Sequence, residues 1–99
     1  MSFLTAQPEM LAAAAEVLQS IGAATTASNS AAAAPTTGVV PPAADEVSLL
    51  TAAQFATHAA MYQAVGAKAA EIYDRFVATL ATSASSYAIT EAANAAAAH

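Results

Sequence analysis

Three serines, Ser83, Ser85 and Ser86, are suited by type to nucleophilic chemistry, and two histidines, His58 and His99, to proton transfer or metal ligation. Neither set is equipped for it. A serine becomes a nucleophile only beside a base that a third group orients. No Gly-x-Ser-x-Gly turn surrounds these serines, and the sequence offers no base and orienter around them. A metal ion needs converging ligands; His58 has no second ligand three or four residues away, and His99 is terminal. His58 falls instead on an apolar helix face, where a satisfied or partly exposed interface histidine is the expected role. Cysteine is absent, which removes disulfides and thiolate metal sites and leaves the redox compartment open. No catalytic, cofactor or metal site is expected, and the chain reads as non-enzymatic.

The net charge is −5, with Lys68 and Arg75 as the fixed cations. That balance repels a nucleic acid partner and disfavours an anionic membrane surface. Lys68, Glu71, Asp74 and Arg75 are expected to share a solvated polar face with weak exposed pairs. Residues 1–10 hold no Lys or Arg, so a conventional signal peptide is not expected. The uncharged stretch 17–44 is interrupted by Gln19, Ser20, Thr25, Thr26, Ser28, Asn29, Ser30 and Pro35, and reads as a helix and a loop rather than a membrane span.

Two helices must position whatever this chain uses. About a third of its 99 residues are alanine, which forms helix readily but has little side chain to bury. Pro8 suits a first helical position, with Thr5 or Gln7 before it and Glu9 against the positive end of the helix dipole. Met10, Leu11, Ala14, Val17, Leu18 and Ile21 fall within an arc of about 120°, opposite Glu9, Glu16, Gln19 and Ser20, which predicts one buried face. The first helix is expected over about 8–34. Three prolines and a glycine between Pro35 and Pro42 predict a turn over 35–44. Asp45 then caps a second helix over about 45–82, with Ser48 as its partner. Ser83, Ser85 and Ser86 loosen a tail over 83–99.

The second helix carries two neighbouring stripes. Val47, Leu50, Gln54, His58, Met61, Val65, Ile72 and Phe76 form one; Phe55, Tyr62, Ala69, Tyr73, Val77 and Leu80 form the other. Together they span roughly 180°, whereas one antiparallel neighbour covers about 100°. The surplus is on the order of five large side chains, or about 500 Å² of apolar surface, near the limit a soluble monomer tolerates. A further helical element is expected to cover it.

Four features in this order and spacing resemble the mycobacterial PE family. They are the opening Met1-Ser2-Phe3, the pair Pro8-Glu9, the turn from Ala34 to Asp45, and the segment Tyr87-Ala-Ile-Thr-Glu91. The resemblance covers essentially the whole chain. It implies an all-α fold, an antiparallel two-helix hairpin that completes a four-helix bundle with a PPE-family partner. It also implies export by a type VII (ESX) secretion system, of the ESX-5 type, with Tyr87 and Glu91 as part of the signal. An EspG-type chaperone would grip the PPE subunit, and the complex would reach the cell surface, the envelope or the medium after cytoplasmic assembly. Ring and carboxylate four residues apart share a helix face, which suits such a patch. Many relatives carry a long C-terminal extension or a hydrolase domain; this sequence stops at His99, so no activity of those extensions transfers to it.

The resulting expectation is that Met10, Leu11, Val17, Leu18, Ile21, Phe55, His58, Met61, Tyr62, Val65, Ile72, Phe76 and Leu80 are buried in the bundle, largely against the partner. Two other readings stay open at this stage. One is a membrane-active or pore-associated hairpin, motivated by the mean hydropathy of +0.50. The other is a self-associating dimer that builds the same bundle from two copies.

Overall fold

The computed structural model describes residues 7–98; the opening Met1-Ser2-Phe3, the capping candidate Thr5, and His99 lie outside the described residues. Among the described residues the regular structure is two helices, α1 over Pro8–Thr37 and α2 over Glu46–Ala97. The Gln7 carbonyl accepts from the N–H groups of Met10 at 3.0 Å and Leu11 at 3.2 Å, so Gln7 stands at the capping position and Pro8 in the first turn.

Helix α1 does not stop before Pro35 as the sequence suggests. A proline near a helix end forfeits one backbone bond, and the last carbonyls here find other donors. The hydroxyls of Thr36 and Thr37 donate to the carbonyls of Ala32 and Ala33, each at 2.6 Å, and the Gly38 N–H donates to Ala34 O at 3.0 Å. At the start of α2 the expected cap is present. Asp45 Oδ2 accepts from the Ser48 N–H at 3.0 Å, and Oδ1 accepts from the Ser48 hydroxyl at 2.7 Å. Those two bonds, the hydroxyl's first, hold the Asp45 carboxyl below its ordinary value.

Helix α2 also outruns its expected end at 82 and continues through the serines to Ala97. A serine costs only a few tenths of a kcal/mol against alanine within a helix. Ser83 is half-buried and Ala84 buried, so the segment that should loosen is packed, and the alanines after Glu91 favour helix by themselves.

The chain divides into two units, Met1–Gly22 with Tyr73–His99, and Ala23–Ile72. Each pairs one stretch of α1 with one stretch of α2, antiparallel. In the first unit the seam positions are Pro8, Leu11, Ala15, Leu18 and Gly22 on α1, facing Tyr73, Val77, Leu80 and Ala84 on α2, with Ser83 half-buried beside them. In the second the seam positions are Asn29 and Ala32 on α1, and Ala52, Ala56, Ala59, Gln63, Gly66 and Ala70 on α2, with Ala33 and Ser48 half-buried beside them. Along each helix these positions alternate by three and four residues, the spacing of a coiled-coil seam. The seam is built mostly from Ala and Gly, which let two helix backbones approach closely.

The register of the seam divides the apolar face read on α1. Met10, Val17 and Ile21 do not pack between the helices; each is 50–65% exposed, and only Leu11 and Leu18 of the expected α1 face turn inward. Each of the three falls one residue before a seam position, at 11, 18 and 22, and so points about 100° around the helix, to the seam's flank. Among the described residues the buried hydrophobic ones are Ala15, Ala52 and Ala84.

Candidate functional site: an uncovered helical face

Side-chain hydrogen bonds fix how the seam closes. In the first unit the Tyr73 hydroxyl donates to the Leu18 carbonyl, and the ring lies against Gly22. In the second, the Tyr62 hydroxyl donates to Asn29 Oδ1 at 2.8 Å, and Gln63 Nε2 donates to Asn29 O at 3.0 Å. Tyr62 is therefore tethered by its hydroxyl while the residue as a whole stays 57% exposed. The expected interface set omitted Tyr73, Gln63, Asn29 and Gly22; they become legible only once the three–four spacing is read through small and polar residues as well as large ones.

A second stripe runs beside the seam on α2: Phe55, His58, Tyr62, Val65, Ala69, Ile72 and Phe76, again spaced by three and four. At 3.5 residues per turn it lies about 100° around the helix from the first. It is uncovered, with Phe55 60%, Val65 67% and Phe76 57% exposed. Helix α1 repeats the device with Met10, Ala14, Val17, Ile21, Ala24, Ser28 and Ala31. Reversing a helix reverses its sense of rotation, so in an antiparallel pair these two stripes turn to the same side. Each unit thus presents an apolar face of its own. In the first unit it holds Met10, Val17, Ile21 and Phe76; in the second, the large side chains of α2 stand beside the small ones of α1.

Of the residues expected at the interface, Leu11, Leu18 and Leu80 belong to the seam between the chain's own helices. Met10, Val17, Ile21, Phe55, His58, Tyr62, Val65, Ile72 and Phe76 belong to the uncovered stripes, and Met61 flanks them. Lys68, Glu71, Asp74 and Arg75 are exposed, away from the seam. After Phe76 the α2 stripe changes character to Thr79, Ser83, Ser86 and Thr90, and its apolar part ends there.

Tyr87 and Glu91 sit beyond Ala84, at spacings that continue the first seam, on a helical stretch where both are exposed. Glu91 lines an open cleft of about 580 Å³ in the first unit together with Gln7, Pro8, Glu9 and Ser85. The Pro8-Glu9 pair and Glu91, far apart in sequence, are therefore neighbours. Tyr87 lines a separate cleft of about 500 Å³ with Thr79, Ser83, Ser86 and Thr90. Among the described residues no three His, Cys, Asp or Glu side chains are grouped as metal ligands would be, and no helix is long and apolar enough to cross a membrane.

Comparison with known proteins places the sequence in one family. The chain is 80% identical to PE family protein PE13 of Mycobacterium tuberculosis over 98 residues, 99% of both chains. It is 53% identical over 98 residues to PE family protein PE8 of the same organism, of which it spans 36%. It is also 50% identical over 96 residues to a protein named esterase PE16, of which it spans 18%. Residues 4–94 match the PE family, and the chain belongs to it.

Proposed function

We propose that this PE protein is a non-enzymatic subunit that pairs with a PPE-family protein, its two helices and two from the partner forming a four-helix bundle. The pair is exported by a type VII (ESX) secretion system to the cell surface, the envelope or the medium. A helix in such a bundle touches two neighbours, and it needs two apolar stripes roughly a quarter-turn apart. Both helices of this chain carry two. The uncovered second stripe is the observation that carries the reading.

Its size supports a stable partnership. Eight large side chains of the two second stripes stand half or more exposed. At roughly 100–130 Å² each they offer about 1,000 Å², comparable to the roughly 800 Å² each partner contributes to a standard protein–protein interface. With two fixed cations, Lys68 and Arg75, against a net charge of −5, the chain is poorly suited to an anionic membrane surface. Tyr87 and Glu91, on the part of α2 past the apolar stripe, are left outside the bundle and free to serve as the export signal. An EspG-type chaperone then acts through the PPE subunit. The esterase activity that PE16 is named for belongs to a protein of which this chain matches less than a fifth, and it is not carried over.

Co-expression with the PPE-family protein that co-purifies with this chain from its native host tests the pairing. The expected product is a soluble one-to-one complex by light scattering, with aggregation of the chain expressed alone. A lone chain that melts cooperatively as a monomer would sink the reading, and a stable dimer of the lone chain would hand the uncovered face to a second copy.

A further inference from the structure

Asn29 is the one polar residue of α1 that is not exposed. Asparagine is a poorer helix former than alanine, because its side chain competes for nearby backbone groups. Other polar side chains of α1 turn back on their own helix, as the hydroxyls of Thr36 and Thr37 do on carbonyls one turn earlier. Asn29 instead spends its groups on α2. Its Oδ1 accepts from the Tyr62 hydroxyl at 2.8 Å, and its carbonyl accepts from Gln63 Nε2 at 3.0 Å. Its Nδ2 stands over Gly66, where an added Cβ would come within 3.6 Å. Three residues of one stretch of α2 therefore seat this side chain. A residue that goes against local preference and is held in place marks a position kept for another purpose.

The consequence of that seating lies at Tyr62. The residue belongs to the uncovered stripe and is 57% exposed. A tyrosine on a helix surface has two open χ1 orientations and exchanges them within nanoseconds. Only one of them can lay its hydroxyl on Asn29, so the bond selects it. Phe55 and Val65, on the same stripe, have no polar group by which they could be held.

We propose that Tyr62 is an anchor of the partner interface and that Asn29, in the seam and not on that face, is its positioning residue, holding the tyrosine in the orientation the partner meets. The inference rests on the pairing proposed above and adds which residue of the stripe is set beforehand, and by what. Tyrosine is enriched among the few residues that carry most of an interface's affinity. Ordering completed before the partner arrives is not charged to binding.

The test is competition for a limiting amount of the co-purified PPE protein. The original full-length chain and one variant are expressed together with it, and intact masses in the purified complex, against those in the whole cell, give relative affinity. Tyr62→Ala should lose more than about tenfold. Tyr62→Phe, which keeps the ring and drops the tether, and Asn29→Ala, which removes the acceptor, should each lose about three- to tenfold. The two together should lose no more than either alone, because they break the same bond. Ser30→Ala, an exposed neighbour with a similar gain in helix propensity, should change affinity less than about twofold. With Tyr62→Ala in place, Asn29→Ala should cost nothing more; a further loss there would show Asn29 acting on the hairpin and not on the ring, and would overturn the positioning role. That role also falls if Asn29→Ala competes as well as the original chain, or if its loss multiplies with that of Tyr62→Phe. A Tyr62→Ala chain that competes within about threefold overturns the anchor and leaves the pairing standing. No complex with the original chain overturns the pairing itself.

Discussion

The ring of Tyr73 fills the space that a side chain on Gly22 would need: a Cβ there would lie 2.6 Å from Tyr73 Cε1 and 2.9 Å from Cδ1. Gly22 has ordinary helical backbone angles, since no glycine among the described residues has positive φ. The ring, not the backbone, demands glycine. The Tyr73 hydroxyl, bonded to the Leu18 carbonyl one turn before Gly22, keeps the ring from swinging away.

Gly22→Ala should therefore destabilise the hairpin even though alanine is the better helix former. The propensity gain is about 1 kcal/mol, and forcing a methyl into a packed contact costs roughly 1–3 kcal/mol. In a Tyr73→Ala background the same change should stabilise by about 1 kcal/mol. Urea unfolding of the four proteins, followed by circular dichroism, gives the coupling directly. Additive effects would mean that ring and glycine do not meet.

Asp45 gives α2 a pH-dependent start. Its carboxyl is held below the ordinary value by the Ser48 bonds, so the folded state prefers it ionised. The contribution is then fully present above the unfolded carboxylate value, near pH 4. It is lost as pH falls through the lower folded value. Asp45→Ala should lower helix stability at neutral pH and flatten the acid limb of the stability profile. A variant whose melting temperature parallels that of the original chain down to about pH 2 would contradict the cap.

Because the uncovered stripe does not hold the hairpin together, a charge placed there should separate pairing from folding. Val65→Lys should leave the helical content of the chain nearly unchanged. It should weaken partner binding by on the order of 3 kcal/mol, more than a hundredfold, because an ammonium would be buried without a counter-charge. Equal loss of helicity and of binding would place Val65 in the chain's own core.

Tyr87→Ala and Glu91→Ala should abolish export while the heterodimer still forms, since both residues lie past the end of the apolar stripe. Fractionating cells that express each variant with its partner, and blotting medium and lysate, separates the two effects. Loss of the complex from the lysate would show that these residues are structural.

Much of this arrangement was legible in the residues. The Pro8 start, the proline-rich turn, the Asp45 cap and the excess apolar width of α2 all follow from local chemistry. Which stripe the hairpin keeps for itself was harder to read. The apolar arc of α1 groups Met10, Val17 and Ile21 with Leu11 and Leu18, and hydrophobicity alone does not say which of them face α2. The structure instead closes on Ala15, Gly22, Ala52, Gly66 and Ala84. Small residues carry little hydrophobic signal, and their value lies in the close approach they permit, which is a property of the pair of helices. The helix ends misled for a related reason: Pro35 and the serines at 83–86 are weak local breakers, overridden by hydroxyl bonds in one case and by packing in the other. The nearness of Pro8 and Glu9 to Glu91 depends on the register of the two helices, which no short window of sequence contains.

The chain lacks cysteine, so a single introduced thiol reports its own surroundings without interference. The decisive measurement compares thiol labelling rates of Val65→Cys, on the uncovered stripe, and Ala60→Cys, on the opposite side of α2, with and without the PPE partner bound. The account predicts that position 65 becomes protected in the complex while position 60 keeps reacting. Protection at 60 with none at 65 would show that the partner docks on the other side and that the second stripe is not the interface.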